Sequence, residues 1–394
     1  MKNSPEHIRA VLDALQFSDA SISTLQRLPE SQWSRLLEWS DARQLTLLLY
    51  STRADDMPDG MRQQILRRRS NYAARFERLR RELLEVAAAM NQAGLEFVVL
   101  KGITHSPALT PDPLSRAQGD IDLWIKPESI SQAKAALVGL GFSPIGSSKS
   151  RHIDPMARPT NWRWKGDRFD PDMPIAVELH YELWSEEAEG IFVPGQQGFW
   201  QRKTSRDFEG CGFKVLCKQD LIGFAALHLL LHVLHGELPV QRAWEIGHFL
   251  HTHTADEEFW ASWRAVHPAE LRRIEAIVFW LVRSWFRCHW PPALDPEMGA
   301  LPRGVKLWLE CFSLSPLKRE WRPNKDEVWL HVALIPAFRT KIRVLFHRLL
   351  PIHGKGLDTS RLVHHAWTFV PTVLQAIHWL RPTTREITSS TRSR

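Results

Sequence analysis

Phe97-Val98-Val99-Leu100-Lys101-Gly102 and, beyond a polar loop, Arg116-Ala117-Gln118-Gly119-Asp120-Ile121-Asp122-Leu123-Trp124-Ile125 decide the fold class of this chain. The first run is apolar and β-branched and stops at a Lys-Gly pair, as a buried strand ending in a turn does. The second alternates. Ile121, Leu123 and Ile125 fall on one face of a strand, and Asp120 and Asp122 on the other. Two neighbouring carboxylates repel each other unless something neutralises them, and Mg²⁺ does so while also taking phosphate oxygens. An Asp-x-Asp by itself suits an ordinary solvated strand face equally well.

A third segment, Ile175-Ala176-Val177-Glu178-Leu179-His180-Tyr181, alternates in the same way and puts Glu178 and His180 on its polar face. A third carboxylate on an adjacent strand completes a site for one or two metal ions, which can activate an attacking oxygen and steady phosphates. With this segment the chain resembles the nucleotidyltransferase superfamily that includes DNA polymerase β. That signature is Gly-Ser, then hydrophobic-Asp-hydrophobic-Asp, then a lone carboxylate on a later strand. More closely it resembles an uncharacterised bacterial nucleotidyltransferase family with a Leu-Lys-Gly strand end, an Arg four residues before Asp-Ile-Asp, and an acidic-Leu-His strand. Leu100-Lys101-Gly102, Arg116, Asp120-Ile121-Asp122 and Glu178-Leu179-His180 fit that order, within residues 80–250. The chain departs from the superfamily where Gly-Ser is expected: Ile103 follows Gly102, and the nearest hydroxyls are Thr104 and Ser106.

The resemblance implies an α+β (mixed α/β) fold, a small mixed sheet with flanking helices. It also implies transfer of a nucleoside monophosphate from an NTP to a hydroxyl or similar acceptor on a small molecule, peptide or protein. Asp120, Asp122 and Glu178 are then the catalytic residues and the ligands of Mg²⁺ or Mn²⁺. Lys101, Gly102, Thr104, Arg116, His180 and Arg163 are the candidate nucleotide contacts. Arg116 either meets phosphate or pairs with a catalytic carboxylate, and the pairing is preferred. Two other readings use the same carboxylates: transfer of the γ-phosphate, and a non-catalytic nucleotide-binding or scaffold protein on a degenerate core.

At 394 residues, with 44% apolar and 24% charged side chains, the composition is globular and long enough for more than one domain. Lys and Arg outnumber Asp and Glu by 51 to 44, an excess that suits an anionic substrate but not a dedicated nucleic-acid binder. Polynucleotide substrates stay open through Arg67 to Arg69 and Arg163 without being favoured. Four cysteines without paired spacing predict reduced thiols in a cytoplasmic protein. No apolar run has the length of a membrane span or a leader.

Helical patterns fill residues 1–75, and a basic helix over 60–93 leads into a catalytic core over 76–218. A C-terminal helical region follows over 219–382, then a disordered tail over 383–394. Within the core the patterns predict a helix over 103–109 whose amino end faces the metal site. They also predict a strand over 142–145 and a strand-like island at Asn161-Trp162-Arg163-Trp164-Lys165. His228, His232 and His235 share a helix face, read as lining the cleft in preference to binding zinc. Arg242, Trp244, Glu245 and His248 repeat that pattern on the next helix, Glu245 as a supporting acid. The basic stretch 328–350 reads as a core helix with a solvated face in preference to a membrane-surface helix.

Overall fold

The computed structural model describes residues 4–146 and 153–349. The tail expected over 383–394 and the end of the C-terminal helical region, 350–382, lie outside these residues. Among the described residues seven strands form one mixed sheet in the order β3-β4-β5-β2-β1-β7-β6. They are β1 (Phe97–Val99), β2 (Asp120–Ile125), β3 (Ser143–Pro144), β4 (Met156–Ala157), β5 (Ala176–His180), β6 (Thr204–Phe208) and β7 (Cys211–Val215). β1 runs antiparallel to β2, while β2 and β5 are parallel and so are β1 and β7.

Each face of the sheet has its own core. Ile121, Leu123, Ile125, Val177 and Leu179 pack with Leu79, Leu83, Val86 and Met90 of the long helix Asp59–Gln92 and with Ala133 and Leu137 of helix Ile130–Gly139. The opposite face contributes Val98, Leu100 and Trp124 to a larger cluster built by helices from both ends of the chain. The carboxylates lie on this second face. Burying each large apolar side chain stabilises by about 1.5–3 kcal/mol, so the alternation holds β2 and β5 in register.

Several expected elements differ. The helix over 103–109 is a four-residue 3₁₀ turn, Gly102–His105, because Pro107 stops it and Ser106 is already extended. No amino end of a helix therefore faces the site from this segment. Over 142–145 the strand is Ser143–Pro144, and the Ile145 N–H carries the pairing on to the Pro155 carbonyl at 2.8 Å. The island at 161–165 is irregular: the Trp162 indole donates to Asp170 at 3.0 Å, and Phe169 is buried against Leu47 and Tyr72. The hairpin of β6 and β7 carries no clean apolar alternation and goes unread in the sequence. Its turn, Glu209-Gly210, has positive φ at both residues, which the glycine at the second position eases. The basic stretch 328–350 is two helices, Glu327–Leu334 and Phe338–Leu349, broken at Pro336. No helix among the described residues is long and apolar enough to cross a membrane.

A buried charge network ties the segment just before β6 to the C-terminal helices. His267 lies 3.0 Å from Asp220 and 2.9 Å from Glu275; Arg202 donates to Asp220 at 2.7 Å and the Trp263 indole to Glu275 at 2.7 Å. Burial opposes the charged imidazole, but Glu275 and Asp220 outweigh it and push His267 up to about 9. Because the folded value lies above the ordinary 6.5, the contribution is whole below pH 6.5 and is lost as pH rises through about 9. It amounts to about 3 kcal/mol. Urea unfolding of wild type and His267→Gln should show a stability gap that narrows by about that amount across this window. A gap independent of pH would contradict the charged imidazole.

Candidate active site

The site begins where β1 ends. The Leu100 backbone N–H donates to the Asp122 carbonyl at 3.0 Å, and the chain then turns at Gly102, which has φ +71°. A Cβ on Gly102 would lie 1.9 Å from the Gln118 amide nitrogen, so conformation and space both demand glycine. Gln118 in turn donates through its side chain to the Asp120 carbonyl at 2.6 Å, and its backbone N–H donates to the Tyr72 hydroxyl at 3.0 Å. The entry to β2 is thus fixed from the long helix and from the Gly102 turn together. Thr104 is buried and donates to the Lys101 carbonyl at 3.3 Å, a local brace for the turn.

Parallel pairing sets Asp122 directly beside Glu178 and Trp124 beside His180. Asp122 is fully buried, and its Oδ1 accepts from Lys101 Nζ at 2.7 Å and from His180 Nε2 at 2.8 Å. Burial pushes the Asp122 carboxyl up, but the Lys101 ammonium and the His180 hydrogen bond overcome it and hold the group well below the usual carboxylate range. His180 Nε2 also lies 3.6 Å from Glu178. Asp122, Glu178 and His180 offer ligand atoms that all lie within 4.8 Å of one another. Asp120, half-buried, is one pleat away on the same face and does not belong to that group. Asp122 Oδ2 is buried without a hydrogen-bond partner. An unsatisfied carboxylate oxygen beside a second carboxylate and an imidazole fits a divalent cation.

A buried pair of helices, Lys218–Leu234 and Val240–Thr252, closes over this face. Arg116 does not pair with Asp120 or Asp122. It lies 2.8 Å from Glu245, at ion-pair distance but off the angle of a hydrogen bond. Glu245 also accepts from Gln241 at 2.7 Å and sits 3.2 Å from His105 Nδ1. Burial raises the Glu245 carboxyl, but Arg116 and His105 bring it below its ordinary value; burial pushes His105 down against the pull of Glu245. The histidine face divides. His228 and His232 meet edge to face at 4.6 Å, whereas His235 pairs with Glu189 at 2.9 Å. Burial, then Arg242 and Lys101, hold His228 well below its ordinary value. Arg163 is exposed, Arg68 and Arg69 pair with Asp41 and Asp112, and Arg67 is exposed. His105, Gln118, Tyr72 and Gln241 were silent in the sequence, where no periodic or motif signal marks them.

Removing Lys101 takes the ammonium away from a buried carboxylate and leaves it only the His180 hydrogen bond on that oxygen. Lys101→Met should destabilise the fold by about 3–5 kcal/mol, and Lys101→Met/Asp122→Asn should be less destabilised than the single variant. Chemical denaturation of the four proteins checks this, and equal losses in single and double variants would contradict it.

A search of curated proteins and a search of solved structures returned no match. A comparison with protein families matched residues 29–287, a span that contains both strands of the site and both helices that close it. The chain belongs to the family described as an uncharacterised nucleotidyltransferase.

Proposed function

We propose that the chain is a metal-dependent nucleotidyltransferase of the DNA polymerase β-like superfamily, moving a nucleoside monophosphate from an NTP to an acceptor hydroxyl. The observation that carries this reading is the register of β2 and β5, which brings Asp122, Glu178 and His180 together around an unpartnered carboxylate oxygen. Asp122 and Glu178 would hold the cation, and Asp120, on the same face, would complete the carboxylate set. Mg²⁺ or Mn²⁺, when bound in one or two copies, neutralises phosphate charge and lowers the pKa of a bound hydroxyl. Lys101, Gly102 and Thr104 form the turn beside the phosphates, and Arg116 steadies that turn through Glu245 and His105. The acceptor oxygen attacks the α-phosphorus, its proton passes to Glu178, and pyrophosphate leaves from the opposite side. Positioning and charge compensation supply most of the rate in such transfer, so no protein nucleophile is required. Cys211, Cys217, Cys288 and Cys311 are all free thiols, which suits a reducing cytoplasmic setting.

The test is incubation with Mg²⁺, a cell extract as source of acceptor, and each α-³²P-labelled NTP. Wild type should label a product that Asp122→Asn leaves unlabelled, with a rate loss of about 10³-fold or more. Label transferred from γ-³²P instead would make the protein a phosphotransferase. Equal labelling by Asp122→Asn would sink the assignment of the site.

A further inference from the structure

A cavity of about 380 Å³ lies where helix Trp33–Ala42 ends and helix Val240–Thr252 begins, and its Gln241 is joined through Glu245 to Arg116 and His105 of the candidate site. Arg43, Arg242, Arg319, His232, Gln241 and Glu320 are among its lining residues. Two of the three guanidiniums are already neutralised. Arg43 forks onto Glu320 at 2.7 and 2.9 Å, and Arg319 lies 3.2 Å from Glu327. Arg242 is held differently: its hydrogen-bond partner is the imidazole of His232, and no carboxylate lies at ion-pair distance from it among the described residues.

That imidazole is neutral. Burial, then the charge of Arg242, push His232 down to about 4, so its Nδ1–H donates to Glu237 while Nε2 accepts from Arg242. A guanidinium oriented by a neutral acceptor keeps its whole charge for something else. Burial and Arg116 oppose that charge, while Asp120 and Asp122 support it. Beside it Gln241, itself buried, donates to Glu245 and leaves its Oε1 without a partner, an acceptor suited to a hydroxyl. The first-turn backbone N–H groups of the 13-residue helix Val240–Thr252 add partial positive charge at the same wall.

We propose that this cavity is the acceptor subsite and that Arg242 binds a carboxylate or phosphate group carried by the acceptor beside its reacting hydroxyl. The inference rests on the nucleotidyltransferase reading. Arg242 is the one lining guanidinium with no carboxylate at ion-pair distance among the described residues, which suits a single oxyanion. The volume suits a small molecule.

Inorganic phosphate is the probe, titrated calorimetrically into the full chain with and without Mg²⁺ and a saturating non-hydrolysable NTP analogue. Wild type should bind phosphate with an affinity that the analogue leaves unchanged, and Arg242→Gln should weaken it about tenfold or more. Glu237→Gln, at an exposed position, removes a negative charge from the cavity wall and should tighten phosphate binding, a gain that an unfolded protein cannot give. Phosphate displaced by the analogue would assign the oxyanion to the nucleotide and overturn the proposal. So would equal affinity in wild type and Arg242→Gln. Phosphate binding without any analogue binding would overturn the nucleotidyltransferase reading while leaving the anion subsite standing.

Discussion

Burying a carboxylate costs several kcal/mol unless charge and hydrogen bonds compensate it, and Asp122 is buried on the sheet face that becomes the site. Its two compensating partners come from the neighbouring strands. Lys101, two residues past the end of β1, reaches Oδ1 from one side; His180, the last residue of β5, reaches the same oxygen from the other. Three strands therefore converge on one oxygen atom. The left-handed turn at Gly102 and the Gln118 amide packed against it follow from that demand, since they carry the chain past Lys101 and back into β2. Only one Asp122 oxygen is used in this way. The other stays unpartnered, which is costly in a purely structural ion pair and useful in a ligand.

Charge is layered outward from that centre. Behind the turn, Arg116, His105 and Gln241 converge on Glu245, so the segments that precede β2 and follow β1 are both tied to helix Val240–Thr252. Arg242 stands on the same helix one turn earlier, and its own partner is a neutral ring. A single helix thereby braces the Gly102 turn with one residue and holds with another a guanidinium that no carboxylate pairs among the described residues. The distant network of Arg202, Asp220, His267 and Glu275 fixes helix Lys218–Leu234 from below, which keeps the helical lid in place over the sheet.

Much of this was legible in the residues. Strict alternation marked β2 and β5 because each strand has one fully apolar face, and a one-residue slip would expose all of it. The Lys-Gly stop marked the end of β1, and the helices beyond 219 were marked by their periodicity. Reading failed where alternation fades or where local signals are overruled. Thr204 to Phe208 is mostly polar because it is an edge strand, so its hairpin gave little apolar pattern. The tryptophans at 162 and 164 alternate with basic residues as a strand would, yet Trp162 spends its indole N–H on Asp170. His228, His232 and His235 share a helical face by spacing, but acidic neighbours far along the chain take His235 elsewhere.

The sequence by itself determined the class of fold, the strands that carry the acidic residues, and the set of side chains from which a site can be built, because periodicity and residue chemistry are local properties. Tertiary structure alone decided the pairings within that set. It opposed Asp122 to Glu178, brought His180 into the cluster with Asp120 one pleat away, and gave Arg116 to Glu245. It also left Arg242 facing a neutral histidine. The physical reason is that the energy of a charge depends on burial and on which opposite charges lie within a few ångströms. Those distances link residues as far apart in the chain as Arg116 and Glu245, and only the folded chain sets them.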